Sequence, residues 1–122
     1  MSYRLTPFRP KITEKHVKDA CVTLLKLRGY FPLRVHSGRA RTLDGKRVMD
    51  LSSGMSGLPD FACMTGKGIS FMLELKRPGG CLSNQQLITI SHLTQGYGLA
   101  VAVVSSVEEL ARFLNIHEGK AC

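Results

Sequence analysis

The sequence predicts a mixed α/β domain, a mixed β-sheet flanked by helices with its elements in the order αβββαβα. Three observations lead there. Segments of helical periodicity alternate with segments of period-two or continuous apolar pattern, as a sheet covered by helices requires. Turn-forming clusters separate them, notably Gly29, Thr65-Gly66-Lys67-Gly68 and Pro78-Gly79-Gly80. The 122 residues are 43% hydrophobic, which suits one compact domain with one core, and no internal repeat divides them.

Residues 1–11 form a basic arm that lacks the apolar centre of a signal peptide. Thr13 caps a first helix that runs to about Arg28 and stops at Gly29, with Val17, Cys21 and Leu24 as its apolar stripe and Ala20 and Leu25 beside it. Residues 30–36 form a strand, with Pro32 near its start, where a missing donor is tolerated. Residues 37–58 form a long basic, glycine-rich loop holding Arg39, Arg41, Lys46 and Arg47, a Leu-Asp-Gly turn at 43–45, and a segment at 47–51 able to add a short hairpin strand. Strands at 60–64 and 69–76 follow, joined tightly through the Gly66 and Gly68 region. Ser83 and Gln86 have capping-box spacing and open a helix that ends at Gly96 or Gly98. Residues 99–104 are continuously apolar, which predicts a strand buried on both faces. Ser106 and Glu109 cap a last short helix that carries Leu110, Phe113 and Leu114.

Charge narrows the partner. Seventeen Lys and Arg against nine Asp and Glu give a formal net charge of +8, which suits a polyanion: nucleic acid first, an anionic membrane surface second. The longest apolar run has six residues, 99–104, too short to span a bilayer. Cys21, Cys63, Cys81 and Cys122 form no C-x-x-C pair, and His16, His36, His92 and His117 are equally scattered. That pattern favours reduced thiols in a cytoplasmic setting over a zinc site or a disulfide framework.

The chemistry centres on residues 69–76. Period-two alternation puts Ile69, Phe71, Leu73 and Leu75 on one face and Ser70, Met72, Glu74 and Lys76 on the other. Taken alone, Glu74 and Lys76 read as a solvated pair on a half-buried strand. Asp60 alters this, because a hairpin brings the residue after Pro59 beside the end of the strand bearing Glu74. Two carboxylates about 4 Å apart repel by roughly 4 kcal/mol at an effective dielectric near 20, so they need a shared proton, a cation or a salt-bridge partner. Oxygen ligands without Cys or His favour Mg²⁺ or Mn²⁺. Lys76 is placed to orient a water or stabilise charge, a better role than base at its ordinary pKa. Glu14 continues the helical line 14, 17, 21, 24, where an acid is also explained by the helix dipole. Gln86 shares the line 86, 90, 93, 97 with Ile90, Leu93 and Tyr97; the capping box competes with any role in a site.

Gly57-Leu58-Pro59-Asp60, Glu74-Leu75-Lys76-Arg77-Pro78-Gly79-Gly80 and Leu82-Ser83-Asn84-Gln85-Gln86 together resemble the PD-(D/E)xK nuclease superfamily. Within it they resemble the VRR-NUC (virus-type replication-repair nuclease) family. The resemblance extends to Glu14 and to Arg34-x-His36-x-Gly38, and the chain has the size of a stand-alone member of the kind bacteriophages carry. It implies a restriction-endonuclease-like core with Asp60, Glu74 and the Leu75 carbonyl as ligands of Mg²⁺ or Mn²⁺, and Glu14 as a further candidate ligand. Lys76 is the implied catalytic lysine, and Glu14 and Gln86 complete the implied centre. The expected activity is metal-dependent hydrolysis of DNA, probing structure rather than sequence, with a four-way (Holliday) junction as substrate and a homodimer as the working unit. Arg34, His36, Arg39, Arg41, Lys46 and Arg47 are the expected DNA contacts, and no membrane partner is expected. Other nucleases with this core, restriction-like or of the archaeal resolvase type, and an inert nucleic-acid-binding module remain alternatives.

Overall fold

The computed structural model describes residues 12–36, 39–41, 46, 48–50 and 57–119; for residues 36, 39–41 and 48–50 the description is of the backbone alone. The basic arm 1–11, the turn at 43–45, Arg47 and Cys122 lie outside the described residues.

Helix α1 spans Glu14–Leu27. Thr13 Oγ1 accepts from the His16 N–H and His16 Nδ1 accepts from the Thr13 N–H, both at 3.3 Å, so histidine completes a capping box usually closed by Glu or Gln. At the other end Gly29 takes φ 87°, which lets the Tyr30 N–H reach the Leu25 carbonyl at 2.9 Å and the Gly29 N–H the Lys26 carbonyl at 3.2 Å. This left-handed closure ends the helix and turns the chain into the sheet. The buried stripe is Val17, Cys21 and Leu25, whereas Ala20 is exposed.

The strands are β1 (Phe31–His36), β2 (Arg39–Arg41), β3 (Val48–Asp50), β4 (Phe61–Thr65), β5 (Gly68–Leu75) and β6 (Val101–Val104). They form one mixed sheet in the order β3-β2-β1-β4-β5-β6, antiparallel except for the parallel pair β5–β6. The parallel step requires a crossover, supplied by α2 (Asn84–Ser91) and a π-helical turn at His92–Gly96. Helix α3 (Val107–His117) follows β6. Phe61, Phe71, Leu73 and Leu75 pack with Val17, Cys21, Leu25, Leu110 and Leu114 on the face covered by α1 and α3. The opposite face buries Leu33, Val35, Ala62 and Met72, with Leu93 against them. The architecture is a sheet between helical layers.

Several expectations need correction. The region 37–58 is not one loop: it carries β2 and β3, so the order αβββαβα becomes αβββββαβα. Three-residue strands show too little alternation to be read locally, and these two are held by pairing outward from β1. The segment suspected at 47–51 corresponds to β3. Strand β6 is not buried on both faces, since Val103 is 40% exposed; it is the last strand of the sheet. Ile69 is half exposed at the hairpin end of β5, and Tyr97 lies outside the core at 81% exposure. The helix from Ser83 remains α-helical only to Ser91 before it widens into the π turn. Ser106 caps α3, but the Glu109 carboxylate returns to Ser105, its Oε1 accepting from Ser105 Oγ at 2.8 Å.

No helix among the described residues is long and apolar enough to cross a membrane. Cys21 and Cys63 are free and buried, and burial pushes their thiols up to about 11 and about 12, where they stay protonated and unreactive.

Candidate active site

Asp60 lies one residue ahead of β4, Glu74 and Leu75 end β5, and Lys76 follows at once. Antiparallel pairing of Phe61 with Leu73 fixes their relative position. The Leu75 N–H donates to Asp60 Oδ2 at 2.8 Å, so the Asp60 carboxylate extends the sheet's hydrogen bonding where β4 has ended. On the other edge the Lys76 N–H donates to the Val104 carbonyl at 2.9 Å. Leu75 is extended here, and an extended residue presents its N–H and C=O to the same edge; the Leu75 carbonyl is thus on the Asp60 side.

Glu74 is only 3% exposed, so the solvated cross-face pair is not what the chain builds. Glu74 meets Gln86 of α2, Met72 packs in the cluster that Leu93 of the π turn covers, and β5 is buried along its second half. Lys76 Nζ is 3.3 Å from Glu74 Oε1 and donates to Gln86 Oε1 at 3.1 Å. Gln86 Nε2 donates to Glu74 Oε1 at 2.9 Å, closing a three-residue ring.

Gln86 does not choose between cap and site. Its N–H donates to Ser83 Oγ at 3.1 Å, and its Oε1 accepts from the Ser83 N–H at 2.9 Å while also accepting from Lys76. An amide oxygen has two lone pairs, and both are used here, while the amide nitrogen faces a carboxylate. Flipping the amide would set its N–H groups against two donors, so the partners dictate its orientation. The cap geometry of α2 thereby aims the side chain at Glu74.

Burial foremost holds both site carboxyls above the usual range. At Asp60 the Glu14 charge adds to it, against the Leu75 N–H, Lys76 and Arg34. At Glu74 the Asp60 charge adds to it, against Lys76. A carboxyl whose folded pKa is raised contributes stability below its unfolded pKa and loses that contribution as pH rises through the folded value. In metal-free buffer these two groups should therefore make the fold less stable at neutral pH than in mild acid. Asp60→Asn, which keeps an acceptor for Leu75, is expected to unfold at a higher temperature than the wild type at pH 7 and to flatten the slope above pH 4 to 5 in a pH series of melting curves.

Glu14 is exposed at the start of α1 and does not continue the buried stripe. It lines a cleft of about 310 Å³ together with Lys15, Lys18, Arg34, Asp60 and Leu75. No three His, Cys, Asp or Glu side chains gather as a metal-holding group among the described residues, but the Glu14 charge acts on Asp60 across the cleft. The donor set on offer is two carboxylates and a backbone carbonyl.

Of the expected DNA contacts, Arg34 is exposed and lines the cleft with Asp60. The backbone register sets Arg41 opposite Arg34 and Arg39 opposite His36. Lys46 is exposed, and Arg47 lies outside the described residues. The sequence reading missed Lys15 and Lys18, which line the same cleft as Asp60. Their spacing of three marks a common helix face, but nothing local says which element that face meets.

In the sequence Gly57 is only part of a motif, and the fold gives it a task. At φ 78° it lies so close to α2 that a Cβ would come within 2.7 Å of the Gln85 carbonyl oxygen and 3.0 Å of Thr89 Oγ1. This contact sets the segment carrying Asp60 against the helix carrying Gln86. Gly57→Ala should cost about 1–3 kcal/mol from the left-handed backbone alone. A lower urea midpoint at unchanged m-value is the expected reading.

Comparison with protein-family models, with curated proteins and with solved structures gives no match to this chain.

Proposed function

We propose that this chain is a divalent-metal-dependent DNA endonuclease that selects for structure, with a four-way junction as its preferred substrate. The observation that carries the reading is the convergence of Asp60, Glu74, Lys76 and Gln86 at one end of the sheet. Buried acids with raised pKa values are characteristic of functional sites. Two carboxylates whose negative charge is disfavoured by burial and by each other fit a hard cation that binds through one or two carboxylates. Asp60, Glu74 and the Leu75 carbonyl would hold Mg²⁺ or Mn²⁺, which when bound supplies Lewis-acid polarisation of a phosphate and a lowered pKa for water.

The chain's own groups do the positioning. A lysine ammonium has three donors. Glu74 and Gln86 occupy two of those on Lys76, which leaves a third for substrate or water. That donor stabilises charge developing on the phosphoryl oxygens or holds the attacking water. Water loses a proton and adds to phosphorus, the bond to one sugar oxygen breaks, and that oxygen takes a proton from solvent as it leaves as a hydroxyl. Each chain carries one such centre, so symmetric cutting of a junction calls for two copies.

One observation favours a second reading, a nucleic-acid-binding module without catalysis. Glu74 already has an ion-pair partner in Lys76, 3.3 Å away. The deciding experiment is digestion of a labelled four-way junction beside linear duplex of equal sequence, with Mg²⁺, Mn²⁺ or EDTA. Cleavage that needs the metal and favours the junction is expected. No cleavage of either substrate would leave the binding module, and equal cleavage would point to another nuclease of this core.

A further inference from the structure

The cleft that opens on Asp60 does not end there. A second cleft of about 430 Å³ adjoins it, sharing Lys18, Arg34 and Phe61 and extending along α1 to Lys26. Lys15, Lys18 and Lys26 lie on one face of α1, and Arg34 of β1 forms the opposite wall. Apart from Glu14 and Asp60, the one carboxylate lining this groove among the described residues is Asp19, which is paired with Lys15 at 2.8 Å. Lys18, Lys26 and Arg34 form no ion pair among the described residues.

From these features we infer that the α1–β1 groove is the track for the phosphate backbone of one nucleic-acid strand, leading from the α1 face into the site at Asp60. The inference rests on the phosphodiester substrate proposed above and adds the surface that delivers it. Lys18 and Lys26 are eight residues apart, about 12 Å along the helix axis. One strand of a duplex carries a charge for about every 3.4 Å of helix axis, so this span takes in more than one phosphate. A single small anion would leave most of such a groove unfilled. Phe61, the aromatic residue of the lining, is 2% exposed and offers no ring for a base to stack on, so the groove suits backbone contact without base readout.

The test measures binding of a fluorophore-labelled four-way junction, in Ca²⁺ to suppress turnover, across a salt series for Lys18→Gln, Lys26→Gln and the double variant. Glutamine preserves helix propensity. Lys67→Gln, in the β4–β5 turn at the far end of β4, controls for the loss of one net charge. The slope of log affinity against log salt should fall by about 0.9 for each single groove variant and about 1.8 for the pair. The Lys67→Gln slope should equal that of the wild type, and melting temperatures should be unchanged. An unchanged slope in the double variant, or an equal drop in Lys67→Gln, overturns the track. If slopes fall as expected but the wild type does not cleave in Mg²⁺ or Mn²⁺, the track stands and the nuclease reading falls. If the wild type binds neither junction nor duplex, both fall.

Discussion

Lys76→Ala should slow cleavage by about 10²–10⁴ while junction affinity in Ca²⁺ stays at the wild-type value. The expected size follows from removing one oriented donor and its charge from the reacting phosphate, with both carboxylates left in place. Glu74→Gln should act differently, because it keeps the shape but takes away a ligand charge. The Gln86 Nε2 donor would then meet a neutral amide, and metal affinity should fall with the rate. Raising Mn²⁺ should therefore restore part of the activity of Glu74→Gln and none of that of Lys76→Ala. Junction binding by Glu74→Gln should be unchanged or tighter, since a negative charge near the scissile phosphate has gone. Wild-type rates from Lys76→Ala would reduce the Glu74–Lys76 contact to a structural ion pair and return the molecule to the binding-module reading.

Leu73→Asp should abolish the cooperative thermal transition. Leu73 has no exposed surface, and its strand pairs with Phe61 on one side and Ala102 on the other. It lies between sheet and helices with Val17, Cys21, Leu110 and Leu114 in the same cluster. A carboxylate there has no partner, and burying it costs several kcal/mol beyond the about 2–5 kcal/mol of a Leu→Ala truncation. Domains of this size are stable by only about 5–15 kcal/mol, so the two costs together consume most of the margin. Leu73→Ala, by comparison, should still melt cooperatively at a lower temperature. A folded Leu73→Asp protein would mean that the two faces of β5 had been exchanged.

The sequence alone determined what is settled over a few residues. Thr13, Ser83 and Ser106 cap the three helices, Gly29 closes α1, and the Gly66–Lys67 turn joins β4 to β5. Each depends on hydrogen bonds or backbone angles within one turn of chain. Period two in β5 likewise put Phe71, Leu73 and Leu75 on the core face and Glu74 on the other. Asp60, one residue ahead of β4, could then be placed beside Glu74 by the hairpin alone.

Tertiary packing decided the rest. The two short strands after β1 have almost no periodic signal of their own and exist by pairing with a neighbour. Glu74 looks solvated in a strand read by itself, and only the arrival of α2 over that face buries it and raises its pKa. The same docking lets Gln86 serve cap and site together, because Ser83, Lys76 and Glu74 converge on one amide. The lysines of α1 gain their place beside Asp60 from the way α1 lies over β1, which no local spacing encodes. Residue chemistry and short-range geometry are written along the chain, whereas burial, charge neighbours and clefts are set by which elements meet.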